Sequence, residues 1–275
     1  MNDSTKKKSY FFDFFQVMYK HRELFLNLAK RDIFSKYQGS FIGVFWSLIT
    51  PVVMLAVYTF VFSVVFKARW PGGTDSKTEF ALVLFSGLIV YNLFSECINR
   101  SPTLIISNAN FVKKVIFPLE ILPPVILLSS MFTFISGLAV WVAFYIMVFG
   151  YVNISILLVP IAIIPLIFLI LGVSFFLASL GTYLRDISQV VVLITTMMMF
   201  LSPIFYPVSS LPTDYQLIMK INPLTFIVEQ VRGLMISGVG INWTEWSGWL
   251  IFSLFLFYLG YFWFKKTRDG FADVI

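Results

Sequence analysis

Residues 121–184 read ILPPVILLSSMFTFISGLAVWVAFYIMVFGYVNISILLVPIAIIPLIFLILGVSFFLASLGTYL, 64 residues without one Asp, Glu, Lys or Arg. About a quarter of the residues of a soluble domain are charged, so a run of this length is typical of a membrane interior. A helix needs about 20 apolar residues to cross the hydrocarbon of a bilayer, and this run is too long for one helix. Because residues 150–153, GYVN, are a turn signal near its middle, we predict two spans joined by a short turn.

Four further windows of the chain are free of charged residues. The whole chain has 275 residues, of which 59% are hydrophobic and 12% are charged. We therefore predict an all-α polytopic membrane protein with six transmembrane helices. The predicted spans are residues 42–66, 80–98, 124–149, 154–180, 188–206 and 246–264.

The positions of the basic residues predict the orientation in the membrane. If the N-terminus is cytoplasmic, 15 of the 20 Lys and Arg fall on the cytoplasmic side, as the positive-inside rule requires. Both termini are then cytoplasmic, and the net charge of +6 reflects topology and attraction to anionic lipid rather than nucleic-acid binding. The predicted regions are an amphipathic interface region (1–41), a transmembrane domain (42–264) with a cytoplasmic loop (99–123) and an external segment (207–245), and a cytoplasmic tail (265–275).

Several residue types that catalysis or energy conversion needs are scarce. His21 is the only histidine and Cys97 the only cysteine, so an ordinary zinc site cannot be assembled from this chain. No G-x-x-x-x-G-K-[ST] string occurs, and the chain therefore has no P-loop of its own. The predicted spans contain no Asp/Glu pair of the kind that marks a proton relay. Energy for uphill transport must come from elsewhere.

Residues 10–37 carry two apolar stripes at helical spacing, flanked by Lys and Arg whose stems can reach lipid headgroups. We predict a membrane-surface helix in two pieces. It is either a simple interfacial anchor or an anchor that also faces a cytoplasmic partner. The stripes are Phe11, Phe14, Phe15 and Met18, followed by Leu26, Ala29, Ile33 and Tyr37.

Residues 203–245 are too apolar for a solvated loop, and four prolines interrupt them too often for a span. Non-helical backbone at membrane depth must be buried in protein or face a wet cavity. We therefore predict re-entrant or interfacial external helices between spans five and six. Glu229 and Arg232 are three residues apart in this segment and would pair on one short helix.

Residues 108–124, NANFVKKVIFPLEILPP, lie in the predicted cytoplasmic loop between spans two and three. Asn108 or Asn110 can cap a short helix, which Pro118 ends. A short helix with exposed apolar residues and two lysines suits a shallow groove on a soluble partner. A membrane-edge loop with ordinary positive-inside lysines explains the string equally well, and the residues alone leave both interpretations open.

This string resembles the cytoplasmic loop of type-2 ABC exporter permeases that move cell-surface polysaccharides. Residues 31–66, RDIFSKYQGSFIGVFWSLITPVVMLAVYTFVFSVVF, resemble the N-terminal segment and first span of that family, and LRDI (184–187) resembles its loop between spans four and five. SPIFYPVSSLP (202–212) and INPLTFIVEQVRG (221–233) resemble its external segment after span five. RDIFSKYQGSFIGVFWSL is most similar to the O-antigen or lipopolysaccharide branch.

The resemblance implies a homodimer that binds two copies of a separate ATPase subunit. That subunit would bind ATP and Mg and supply the missing P-loop, while this chain would carry no cofactor, no metal and no catalytic residue. The substrate would be a lipid-linked polysaccharide on undecaprenyl diphosphate, such as O-antigen, capsule or teichoic acid. It would pass from cytoplasm to periplasm across the inner membrane of a bacterial cell.

The resemblance also implies which residues couple the permease to the ATPase. The coupling helix, carried onto this sequence, comprises Phe111, Lys113, Lys114, Phe117, Pro118 and Glu120. The N-terminal amphipathic helix around Lys30, Arg31 and Asp32 would form a second contact.

Two predicted spans carry a stripe of small, hydroxylated, Met and Tyr side chains. A glycan has polar hydroxyls and flat C–H faces that stack on aromatic rings, so its conduit should mix such groups. The stripes either line this path, with Tyr58 and Tyr206 at its exit, or pack helices together. They comprise Gly43, Ser47, Thr50, Met54 and Tyr58 in span one, and Ser188, Val192, Thr195, Met199, Ser202 and Tyr206 in span five.

Arg185 and Asp186 lie at the predicted internal mouth. They form either a salt-bridged loop or, through Arg185, a contact for the lipid diphosphate, to which a guanidinium is suited. Lys30 and Arg31 are comparable candidates for that contact.

Two other functions compete with polysaccharide export. A membrane enzyme acting on lipid-linked sugars would need a catalytic base and usually an acidic metal-binding motif near one membrane face, and neither is evident. A permease of the same architecture that exports a drug or small lipid would differ in cargo, and the aromatic content and apolar external segment favour a glycan.

Overall fold

The computed structural model describes residues 10–66, 70, 77–113 and 117–275. In these ranges the chain forms helices and turns without a strand, which confirms the all-α class. The helices are α1 (Tyr10–Lys20), α2 (Arg22–Ser35), α3 (Trp46–Tyr58), α4 (Lys77–Arg100), α5 (Leu104–Ser107), α6 (Ala109–Val112), α7 (Leu122–Phe149), α8 (Val159–Ala162), α9 (Ile164–Tyr183), α10 (Ile187–Phe200), α11 (Thr213–Ile221), α12 (Pro223–Arg232), α13 (Trp243–Thr267) and α14 (Phe271–Val274).

Five helical stretches of the described chain are long and apolar enough to cross a membrane. They are Gly43–Phe62, Thr78–Arg100, Leu119–Phe149, Ile154–Tyr183 and Trp243–Val274. The predicted span at 188–206 corresponds to α10, which has 14 residues. At about 1.5 Å per residue α10 is only about 21 Å long, less than the ~30 Å of hydrocarbon. Several apolar helices are therefore present as predicted, but the six-span count is not confirmed.

The long charge-free run folds as α7 and α9, with a turn between them. Gly150 ends α7 at φ 76°, a left-handed conformation that glycine adopts without a steric penalty. A short 3-10 turn at Ile154–Leu158 and α8 then lead into α9. The hairpin predicted from residues 150–153 thus has a direct structural basis.

Helix α4 forms the centre of the bundle. It packs against α3, α7, α9, α10 and α12, and Leu84 and Val90 on it are fully buried. A helix that is apolar all round is stable only where protein or lipid surrounds it. The neighbours of α4 therefore cover most of its circumference.

Helices α9 and α13 pack most closely, through two glycines. A Cβ added to Gly260 would lie 2.0 Å from the carbonyl oxygen of Gly172. Small residues at such a crossing let the two backbones touch. The two helices therefore form a tightly joined pair.

Gly260→Ala is expected to destabilise the protein in detergent by about 1–3 kcal/mol, because the added methyl group overpacks a closed contact. Thermal unfolding of the purified chain measures the effect. Gly248→Ala, in the same helix, is the matched control, since nothing lies within 4 Å of a Cβ there. Equal melting temperatures for the two variants would contradict the close contact.

Candidate functional site

One end of the bundle brings together most of the predicted coupling residues. We call this the basal end; it contains α1, α2, residues 101–113 and 117–121, residues 184–186 and residues 265–275. The rings of Phe111 and Phe117 stack with centroids 4.3 Å apart and planes 5° from parallel. The guanidinium carbon of Arg31 lies 5.7 Å from the centroid of the Phe111 ring, within the range of a cation–π contact.

Arg31, Phe111, Lys113 and Phe117 form what we call the docking face. It joins α2 to the segment around α6. Arg31 and Phe111, which meet there, are 80 residues apart in the sequence. Lys113 is exposed, and both rings are half-buried. Lys30 is also exposed on α2, whereas Lys114 lies outside the described residues. The arrangement presents two cations beside a stacked aromatic pair.

Asp32 fastens α2 to the bundle. Its Oδ1 accepts a hydrogen bond from Arg100 Nη2 at 2.6 Å. Burial is the largest influence and raises the pKa of Asp32, but the hydrogen bond and charge of Arg100 outweigh it and leave the pKa below its usual range. One turn further along, Lys36 Nζ lies 2.5 Å from Glu96 Oε1. These ion pairs hold α2 against the end of α4.

The structure places Pro118 and Glu120 inside the protein rather than on the docking face. Pro118 is buried, and Glu120 is 1% exposed. The coupling role that the resemblance implies for Glu120 stays a prediction, and burial leaves its carboxylate little exposed surface for direct contact with a partner. Its carboxylate faces Lys265 and Arg268 at the end of the chain, partners that a local sequence pattern does not reveal.

The first polar stripe lines one groove. Ser47, Thr50, Met54 and Tyr58 form its α3 wall, and the volume of this partly open cavity is about 170 Å³. We call this cavity the α3 groove. Gly43, the remaining member of the stripe, precedes α3 with φ 58° and does not line it.

Facing helices add polar groups that sequence reasoning missed. Asn92 on α4 and Thr133 on α7 line the α3 groove opposite Thr50, together with the aromatic side chains of Tyr37 and Trp46. The sequence could have indicated Asn92 as a groove residue, because it is an asparagine in a charge-free span. A polar side chain in the membrane needs a functional or structural partner. The groove thus mixes hydroxyl, amide, thioether and aromatic groups.

The second stripe contains a residue that packs helices together. Thr195 is 2% exposed, and its Oγ1 donates to Asn99 Oδ1 at 2.8 Å. The hydroxyl of Tyr91 donates to the Thr195 carbonyl oxygen at 2.7 Å. Thr195 therefore joins α10 to α4 in this structure.

Four other members of this stripe make contacts at or beyond the ends of α10 or at the core edge, while Val192 is 48% exposed. Ser202 is fully buried and accepts a hydrogen bond from Asn222 Nδ2 at 3.0 Å. Ser188 Oγ donates to the Arg185 carbonyl oxygen at 3.0 Å, and Tyr206 Oη donates to that of Phe200 at 2.7 Å. Met199 packs at the edge of the core. The structure does not bring this stripe around the α3 groove.

Arg185 and Asp186 form an exposed turn between α9 and α10. The ion pairs identified in the described part of the chain do not include one between these two side chains. The guanidinium of Arg185 thus stays on the surface of the basal end.

At the opposite end, Arg232 is within electrostatic reach of the predicted Glu229 but forms its hydrogen bonds with other residues. Its guanidinium donates to the carbonyl oxygens of Pro203 at 2.8 Å and Val83 at 3.3 Å, and its central carbon lies 4.6 Å from the Trp70 ring centroid. Burial lowers the pKa of Arg232 to about 10. The predicted helix exists as α12, but this arginine fastens it to the start of α4.

Metal-ligating side chains are not clustered in the part of the chain that the structure describes. No group of three or more His, Cys, Asp or Glu residues there is placed to hold a metal ion.

Comparison with known proteins identifies related chains over most of this length. Residues 23–236 match the model of the family described as "ABC-2 type transporter". An O-antigen export system permease protein RfbA of Klebsiella pneumoniae is 26% identical over 254 residues, which cover 92% of this chain and 95% of that protein. RfbA of Myxococcus xanthus is 23% identical over 219 residues, or 79% and 82% of the two chains. The polysialic acid transport protein KpsM of Escherichia coli is 24% identical over 258 residues, covering 88% and 93%.

Proposed function

Because this chain belongs to the ABC-2 type transporter family, we propose that it is the permease subunit of an exporter of lipid-linked cell-surface polysaccharide. The cargo is a glycan such as O-antigen on undecaprenyl diphosphate, moved from the cytoplasm to the periplasm across the inner membrane. The names of the relatives, O-antigen export permease and polysialic acid transport protein, support this class of cargo.

The observation that carries the proposal is the composition of the α3 groove. Thr50, Asn92 and Thr133 offer hydroxyl and amide groups, while Trp46 and Tyr58 offer aromatic faces. Sugars need both, because their hydroxyls form hydrogen bonds and their C–H faces stack on rings. The one carboxylate of the groove, Glu96, is paired with Lys36 and does not add a free charge to trap a passing chain.

The groove also supports a homodimer. Its α3 wall borders an apolar surface on which Val52, Val53 and Val57 are each about half exposed. Two copies that face each other across this surface would enclose a path between their grooves. An apolar helix face needs either lipid or protein against it, and a second copy satisfies that need.

Energy for export comes from a separate subunit in this proposal. This chain has no P-loop, and two copies of an ATPase that binds ATP and Mg supply it. The basal end faces the cytoplasm, where the excess of Lys and Arg belongs. The docking face of Arg31, Phe111, Lys113 and Phe117 then receives the ATPase.

The lipid diphosphate enters from the same side. Lys30 and Arg185 are exposed at the basal end. Arg31 follows Lys30 on α2 and has its guanidinium over Phe111. Guanidinium and ammonium groups bind diphosphate strongly, and these three cations are its candidate contacts.

Deletion of the gene in its native host tests the proposal. Loss of a surface polysaccharide with accumulation of its undecaprenyl-linked precursor inside the cell is the expected result, and the wild-type gene should reverse it. Cell fractionation and glycan staining measure both pools. The similarity to KpsM makes capsule the alternative cargo. Loss of capsule instead of O-antigen after the deletion would identify it. Unchanged surface glycan after deletion would refute export of this cargo. Export of a drug or small lipid would then explain the family membership better.

A further inference from the structure

A buried carboxylate at the basal end joins distant parts of the chain. Glu120 lies in the turn Leu119–Ile121, directly before α7, and its side chain is 2% exposed. It accepts a hydrogen bond from Lys265 Nζ at 3.2 Å and another from Arg268 Nη1. A buried charge is tolerated only where such partners compensate for lost hydration.

Lys265 extends this cluster to the N-terminal helix. Its Nζ lies 3.1 Å from Asp13 Oδ2, and that oxygen accepts a hydrogen bond from the Tyr261 hydroxyl at 2.8 Å. Tyr261 and Lys265 are one turn apart on α13. Asp13, Glu120, Tyr261, Lys265 and Arg268 therefore link α1, the turn before α7 and the end of α13, and we call these five residues the charge joint.

We call residues 101–113 and 117–121 the basal segment, and its other end is attached to α9. A Cβ added to Gly181 would lie 2.1 Å from the carbonyl oxygen of Pro102, so these two backbones are in contact. Helix α9 is itself joined to α13 through Gly172 and Gly260. The segment that contains Phe111, Lys113 and Phe117 is thus fastened at both ends to the α9–α13 pair.

Resting on the function proposed above, we propose that the charge joint transmits movement of the basal segment to the α9–α13 pair, with Glu120 as the positioning residue. Hydrogen bonds between ionised groups are short and directional, so they resist separation of the turn from α13. Apolar contacts are non-directional and would allow the turn to slide. ATP-driven displacement of the docking face would therefore move α9 and α13 together, instead of being absorbed by the loop.

The test uses the complete exporter, this chain with its ATPase, reconstituted in proteoliposomes with the lipid-linked glycan. Glu120→Gln keeps the size of the side chain and removes its charge. The expected result is an assembled complex that hydrolyses ATP but consumes about tenfold more ATP per glycan exported, within the usual range of coupling between sites. Arg268→Gln should also raise the ATP consumed per glycan. The double variant should consume no more ATP per glycan than Glu120→Gln, because both changes break the same interaction.

Lys266→Gln and Asp269→Asn are the matched controls, since both remove exposed neighbouring charges and should leave the ratio unchanged. Export and hydrolysis that fall in parallel in Glu120→Gln, or a ratio equal to wild type, would overturn the charge joint. If Glu120→Gln does not accumulate, Arg268→Gln decides by the same ratio, because that side chain is 30% exposed. A wild-type complex that exports no glycan would refute the proposed function. If the wild-type complex exports glycan and Glu120→Gln keeps the wild-type ratio of ATP to glycan, only the role of the charge joint is refuted.

Discussion

Thr50→Trp is expected to block polysaccharide export while the permease remains folded and bound to its ATPase. Thr50 is exposed on the wall of the α3 groove, so an indole can be accommodated there without disturbing the core, but it fills a cavity of only about 170 Å³. Raising an energy barrier by about 1.4 kcal/mol slows a step tenfold. Steric closure of the groove raises the barrier to glycan passage by more than this. Export measured as surface glycan should fall by more than about tenfold.

Two variants separate blockage from general damage. Thr50→Ser keeps the hydroxyl and the open groove, and export should stay near the wild-type level. Ile251→Trp places the same indole on α13, at a side chain that is 69% exposed and does not line the α3 groove, and it should also export normally. Normal export by Thr50→Trp would show that glycan does not pass through this groove.

The double variant Phe111→Ala with Lys113→Glu is expected to lose the ATPase subunit. The first change removes the ring that stacks on Phe117 and lies beneath Arg31. The second reverses an exposed charge on the same face. Truncating a buried anchor of an interface typically costs about 2 kcal/mol, or roughly thirtyfold in affinity. Co-purification of the ATPase from detergent extracts measures the loss, and export should stop with it.

Lys220→Glu is the control for charge reversal, because this exposed lysine lies on α11 at the end opposite the docking face. It should retain the ATPase. Phe111→Tyr tests the ring itself, since it keeps an aromatic face for Arg31. ATPase that co-purifies fully with the double variant would place the interface elsewhere on the basal end.

The membrane architecture was largely predictable, because it follows from local composition. Runs without charge must avoid water, and Gly150 marks the turn within residues 121–184 at which one run divides into two helices. The exception is instructive. Residues 188–206 are as free of charge as the other runs, yet α10 ends at Phe200 and the chain turns, because Pro203 and Pro207 interrupt the helical hydrogen bonds.

The candidate sites were predictable only in part. Helical spacing placed Thr50, Met54 and Tyr58 on one face, and they do share a groove. The same spacing in α10 does not produce a groove, because Thr195 donates a hydrogen bond to Asn99 on α4 and packs there. Whether a polar side chain faces a path or a neighbour depends on which helix packs against it, and periodicity contains no information about neighbours.

By itself the sequence determined that this chain is helical, enters a membrane and lacks an ATP-binding motif, since each property depends on residues close together along the chain. Only the tertiary structure decided that Glu120 is buried against Lys265 and Arg268, that Arg232 binds backbone carbonyls, and that Asn92 and Thr133 complete the α3 groove. These contacts join residues far apart in sequence. Their partners are selected by helix packing, which brings unrelated segments within hydrogen-bonding distance.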